Sequence, residues 1–188
     1  MRFYCTQSLK PMSLRPTSIG LLLLMGLFSF QCSSLAPRFG TSSPNTTTTT
    51  RGSSSTSSQL RQNIANFALE QEGTRYKYAG RNPKTGFDCS GFTHFVFDNF
   101  NVDLTPVSRV QEGEGKRISV DNAQTGDLIF FRRSQSGSVF HVALVVKNEP
   151  NNLTVIHSTS SRGVIIENIY NSSYWRTKVT TARDVLGH

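Results

Sequence analysis

The chain has 188 residues, room for one ordinary domain plus appendages and too few for several independent domains. Its formal charge is +8, from 20 Lys+Arg against 12 Asp+Glu; these are scattered along the chain, which argues against a nucleic-acid footprint and for a soluble basic surface suited to anionic polymer or lipid headgroups. Three cysteines exclude a disulfide scaffold: Cys5 and Cys32 lie near the front, and Cys89 stands alone in the rest.

Residues 1–32 read as an export signal. Ile19 to Phe30 is a 12-residue run without charge, rich in leucine and preceded by Arg2, Lys10 and Arg15. A bilayer core of ~30 Å needs about 20 apolar residues, so the run is too short to span it and fits the apolar region of a cleaved signal. Met1 and Met12 are both candidate starts, the second leaving a more compact signal. The run ends at Phe30-Gln31-Cys32-Ser33-Ser34, which resembles the lipobox of bacterial lipoproteins and implies lipidation of Cys32. Gln31 stands where that pattern usually has glycine, alanine or serine; a plain cleaved signal or a buried cysteine are the alternatives. Export also disfavours nucleic acid as a partner.

Residues 33–58 are mostly serine, threonine, proline and glycine, including Thr46 to Thr50. Such a segment cannot bury a core, and as a disordered tether it reaches roughly 25–30 Å. Residues 59–188 carry nearly all the regular pattern. From Ser33 onward there are 17 Lys+Arg and 12 Asp+Glu, a charge of +5.

Within this domain, Gln59 to Gln71 has a helical stripe of Leu60, Ile64, Phe67 and Ala68, with Ser58 as candidate N-cap and Gly73 as stop. A turn-rich loop from Gly80 to Gly86 leads to a second helix from about Cys89 to Phe100, with Phe92, Phe95, Val96 and Phe100 at helical spacing. Thr105-Pro106 opens a short third helix running to about Glu112. After Gly126 the period changes: Leu128 to Phe131, His141 to Val146, Leu153 to Ser158, Val164 to Ile169 and Tyr174 to Thr181 read as strands. Three helices followed by about five strands predict an α+β fold, helices packed on one face of an antiparallel sheet. There is no internal repeat and no glycine-rich phosphate loop.

Cys89 lies in Asp88-Cys89-Ser90-Gly91-Phe92 at a predicted helix start. The exposed N–H groups and dipole there are expected to lower a thiol below its free value of about 8.5, and to bind an oxyanion. A cysteine before an apolar helix is more often a core residue, so the weight rests on the bases available. Of four histidines, His188 is the last residue, and His94 lies about 140° round the helix from Cys89, on another face. His141 and His157 sit in consecutive predicted strands. A hairpin centred near Glu149 would pair His141 directly with His157, Ala143 with Val155 and Val145 with Leu153, bringing both rings to one face with Cβ atoms ~4.5–5.5 Å apart. A one-residue slip would separate them. Nucleophile, base and orienting group then have candidates in Cys89, His141 and His157.

Taken in order, Asp88-Cys89-Ser90-Gly91-Phe92, Gly126-Asp127-Leu128-Ile129-Phe130-Phe131, His141-Val142-Ala143-Leu144 and His157 resemble the NlpC-type cell-wall peptidases. The likeness spans roughly Gln59 to Leu186. It implies a papain-like α+β fold and a cysteine peptidase that needs no metal or cofactor and hydrolyses stem peptides or cross-links of peptidoglycan. Tyr76 matches a family tyrosine whose hydroxyl serves the oxyanion site, with Tyr78 as competitor. Asp88 and Ser90 would contact the substrate's amino end, the alternative role for Asp88 being the helix N-cap alone. Expected partners are peptidoglycan and a membrane holding the lipid, with the protein a monomer in the bacterial envelope, on the outer membrane facing the periplasm. The rival functions are a related peptidoglycan amidase or acyltransferase, and a non-catalytic wall-binding lipoprotein.

Overall fold

A computed structural model describes residues 52–187, with side chains from Ser55 onward. The expected signal, the lipidation candidate Cys32 and the expected linker as far as residue 51 lie outside the described residues. Helix α1 spans Gly52–Leu69 and buries Ile64, Ala65 and Ala68 completely. It starts seven residues before the periodicity predicts, so Ser58 lies inside the helix and does not cap it. The polar residues there have no apolar stripe to reveal them. Once packing of the later turns fixes the helix, each added residue gains a backbone hydrogen bond at small cost.

The loop after α1 contains a tight antiparallel pair, β1 (Arg81–Asn82) and β2 (Gly86–Phe87). Helix α2 spans Cys89–Asp98, with Phe92, Val96 and Phe97 buried. Phe95 and Phe100 are half-buried and pack their rings on Phe67 of α1 at centroid distances of 5.7 and 5.8 Å. Helix α3 is only Ser108–Gln111, because Val107 is extended at φ −141° and Pro106 stays outside the helix.

Six strands form one sheet: β3 (Lys116–Ile118), β4 (Leu128–Arg132), β5 (Val139–Glu149), β6 (Asn152–Thr159), β7 (Gly163–Asn168) and β8 (Val179–Asp184). Their spatial order is β3-β8-β4-β5-β6-β7, and every pairing is antiparallel. The edge strand β3 is absent from the sequence expectation, since three residues, two of them exposed, carry no readable pattern. Tyr174–Lys178 is irregular chain, so the last strand starts at Val179 and not at Tyr174.

One sheet face, with Leu128, Phe130, Val142, Leu144 and Ile156, packs against α1 and α2. The opposite face, with Ile129, Phe131, Ala143, Val145, Val155 and Ala182, is also covered. Its cover comes from Ala123, Ile169 and Trp175 on irregular segments beside the 3-10 turns Val120–Asn122 and Ile169–Asn171. Burial on both faces is why the central strands read as continuous apolar runs and not as alternation. Between α1 and the sheet, Arg61 donates to Asp127 at 2.5 Å and to Asp184 at 2.7 Å, and Asp127 also accepts from the Gln124 N–H at 2.7 Å. Removing one partner of such a buried pair typically costs about 3–5 kcal/mol.

The β5–β6 register differs from the expected one. Near the turn, Glu149 faces Asn152 and Lys147 faces Thr154. Continued unbroken, that register would set His157 opposite Leu144, on the face away from His141. A bulge between Val145 and Lys147, with Val146 the extra residue, shifts the pairing to Val145 with Val155 and Leu144 with Ile156. His141 and His157 therefore share a face as diagonal neighbours, two residues out of the expected direct pairing.

Candidate active site

Helix α2 starts at Cys89 because Asp88 caps it. Asp88 is extended at φ −89° and ψ −179°, and its Oδ1 accepts from the Gly91 N–H at 2.6 Å. Ser90 is buried; its hydroxyl is 3.1 Å from Asp88 Oδ1 and 3.2 Å from the Pro106 carbonyl, while its own carbonyl accepts from Gln111 and Thr93. Gly91 is needed for close approach: a Cβ there would lie 2.0 Å from the Gly80 carbonyl oxygen. The helix start is thus clamped between the Gly80 loop and the Pro106 segment, which fixes the position of the cysteine.

Cys89 opens into a cleft of about 500 Å³ whose lining also includes Tyr76, His141, Phe140 and Trp175. Tyr76 is held by a bridge to Phe87 and is half-buried, whereas Tyr78 is 85% exposed and lies outside the cleft lining. Burial raises the Tyr76 hydroxyl above its ordinary pKa, and proximity to the Cys89 and Asp88 charges raises it further. Asp88 and Ser90 are not among the residues lining the cleft.

The histidines are buried and linked. His141 Nε2 lies 2.9 Å from His157 Nδ1, and His157 Nε2 lies 2.8 Å from Glu167 Oε1. Trp175 stacks on His141 at a centroid distance of 4.5 Å and an interplanar angle of 28°. Burial, and secondarily the neighbouring His157, pushes His141 well below its ordinary value. Burial lowers His157 too, against the opposing pull of Glu167. Hydrogen bonding to His157 lowers Glu167, so Glu167 is an acceptor only. The tautomers follow in sequence. His157 carries its proton on Nε2, donates it to Glu167 and accepts at Nδ1. His141 therefore carries its proton on Nε2, which leaves Nδ1 with a free lone pair.

Cys89 departs from the expectation of a lowered thiol. Burial pushes it up to about 11, and the Asp88 charge adds to this. Hydrogen bonds from the backbones of Val142, Ser90 and Cys89 itself work in the other direction without overcoming it. The desolvation of the sulfur outweighs the helix terminus. Among the described residues, no group of three or more His, Cys, Asp or Glu side chains is gathered as metal ligands would be.

Residues 73–184, more than half of the chain, match the model of the NlpC/P60 family. The chain belongs to the NlpC/P60 family. It is 37% identical over 132 residues to the gamma-DL-glutamyl hydrolase of Bacillus subtilis, covering 69% of this chain and 30% of that one. It is 34% identical over 128 residues to the murein DD-endopeptidase MepS/murein LD-carboxypeptidase of Escherichia coli K12, covering 68% and 64%. The chain thus spans less than two thirds of the length of either relative. A solved NLP/P60 family structure from Staphylococcus aureus, described as similar to lipoprotein, superposes with a TM-score of 0.58 at 33% identity over 69% of this chain and 42% of that one. Likeness to solved NlpC/P60 structures accords with the α+β, papain-like fold.

Of the NlpC/P60 residues singled out from the sequence, Cys89, His141 and Tyr76 meet at the cleft, and His157 stands behind His141. Asp88 acts as the cap, and Ser90 is tucked beneath the helix start. Sequence reasoning missed Glu167, Trp175 and Arg162. Glu167 had one signal: it is the only acid in the run Val164 to Ile169. Trp175 was hidden by its aromatic neighbours, which read as strand.

Proposed function

We propose that this chain is a thiol-dependent peptidoglycan endopeptidase, with Cys89 as nucleophile, His141 as general base and His157 as the group that orients the base. The observation that carries this reading is the unbroken hydrogen-bonded series from Glu167 through His157 to His141, a residue of the cleft that also holds Cys89. Relatives named as a murein DD-endopeptidase and as a muramidase/DL-endopeptidase support the substrate class.

At rest the cysteine is a thiol and the histidine neutral, so proton transfer accompanies attack. Nδ1 of His141 takes the thiol proton as sulfur bonds to the amide carbonyl carbon, and the oxygen becomes an oxyanion. The Cys89 N–H and the Tyr76 hydroxyl stabilise it. Collapse breaks the C–N bond, His141 gives its proton to the leaving amine, and water then hydrolyses the thioester. His157 and Glu167 stabilise the transient imidazolium by accepting along the series.

The domain plan belongs to the same proposal: a lipoprotein-type signal over 1–32, lipid on Cys32 and a tether to the catalytic domain. The short apolar run and the lipobox-like ending support it. Such an enzyme works from a membrane surface within the envelope. The test is direct. Wild-type protein incubated with purified peptidoglycan is expected to release muropeptides identifiable by mass spectrometry, and Cys89→Ala to release none while unfolding at the same temperature. Undiminished release by Cys89→Ala would refute the reading.

A further inference from the structure

The cleft beyond Cys89 has a composition that the hydrolytic chemistry does not require. Its lining includes Arg133 and Arg162 and no aspartate or glutamate, together with Ser160 and Ser161; the hydroxyls of Ser158 and Thr159, also in the lining, already donate to the carbonyls of Phe87 and Gly163. A cleft with two guanidinium groups and a pair of serine hydroxyls suits an anionic group. Arg133 already spends its charge on an aromatic face, with its Cζ 5.0 Å from the centre of the Phe140 ring. Arg162 is placed differently. Its side chain is 54% exposed, one terminal nitrogen donates to Glu167 Oε1 at 3.1 Å, and among the described residues Nε and Nη1 make no hydrogen bond.

We propose that Arg162, with the hydroxyls of Ser160 and Ser161 beside it, forms a carboxylate-recognition subsite of the cleft, so that the preferred substrate is a peptide with a free carboxylate near the scissile amide. This rests on the peptidase reading and narrows its substrate. The oxygen of Glu167 that takes the Arg162 donor is the same oxygen that takes the proton of His157. A substrate carboxylate that pairs with Arg162 relieves Glu167 of that competition and cancels a positive charge near the histidines. Binding and base strength are thereby coupled: the correct anionic substrate favours the imidazolium that the first step creates.

Binding can be read without chemistry by placing the probes on the Cys89→Ala protein. One probe is a peptidoglycan stem tripeptide with its carboxylates free; the other is the same peptide with every carboxylate converted to a carboxamide. Calorimetry is expected to show the acid bound about tenfold tighter, the gain of a charge-assisted contact reduced by solvent. Arg162→Gln in the same background is expected to bring the two affinities together, and Arg162→Lys to restore part of the difference. Equal affinity of the Cys89→Ala protein for both probes, or a preference that survives Arg162→Gln, overturns the subsite. Turnover by wild type is scored separately: failure to cleave either peptide while the binding preference stands counts against the peptidase reading and leaves the subsite in place.

Discussion

At Cys89 a helix terminus and a buried environment act on the same sulfur in opposite directions, and burial wins. The thiol therefore differs from that of a peptidase with a standing thiolate–imidazolium pair. Its expected signature is chemical. The rate of alkylation by iodoacetamide should rise about tenfold per pH unit from neutrality toward the thiol value near 11, because only the thiolate reacts and its fraction grows in that proportion. A plateau below pH 8 would instead reveal a pre-formed ion pair and contradict the neutral resting state. The same residue shows how much of the site was legible. A lone thiol at a helix start and two histidines in neighbouring strands can be found from spacing. Glu167 acquires meaning only through its position across the sheet from His157, which no local pattern records.

Most of the helices and strands that could be read from the sequence are those whose burial leaves a period or a long apolar run: α1, α2 and the longer strands; α3 was read instead from Thr105-Pro106, which lies just ahead of its first turn. β1, β2 and β3 are two or three residues long and left no such mark. The β-bulge was equally illegible, since Val146 is one valine among several, yet its insertion decides which face His157 occupies. Placement of α2 depends on another small feature. Gly91→Ala would drive a Cβ against the Gly80 carbonyl, a backbone atom that cannot swing aside, so the helix start must move. The expected cost is about 1–3 kcal/mol in urea unfolding, with a loss of peptidoglycan hydrolysis larger than that destabilisation accounts for, because Cys89 moves with the helix. An unchanged unfolding midpoint would show that α2 and the Gly80 loop are less tightly apposed than described.

For the whole molecule, the proposed lipid on Cys32 would make this an enzyme whose range is set by its anchor. With α1 starting at Gly52, a flexible chain of the 19 residues from Ser33 to Arg51 would reach roughly 22–26 Å, so a lipid-held domain would sample only the wall nearest its membrane. Cys32→Ser is expected to move the protein from the membrane pellet to the soluble fraction on ultracentrifugation, with hydrolysis of peptidoglycan fragments retained. Persistence in the pellet would place the membrane attachment elsewhere. The domain also contains its own optical reporter. Trp175 is the only tryptophan of the chain, and it lies flat against the ring of His141. A protonated imidazole quenches indole emission, so the fluorescence of the unmodified enzyme should follow the charge on the proposed base, His141, and on His157, whose ring lies 5.2 Å from Trp175. Emission should stay constant as pH falls through 6.5 and drop only well below it, in keeping with the direction in which burial moves His141. A transition at or above pH 6.5 would show the base to be more solvated than its burial implies. The same signal would register, in real time and without a label, an anionic peptide that raises the proton affinity of the pair.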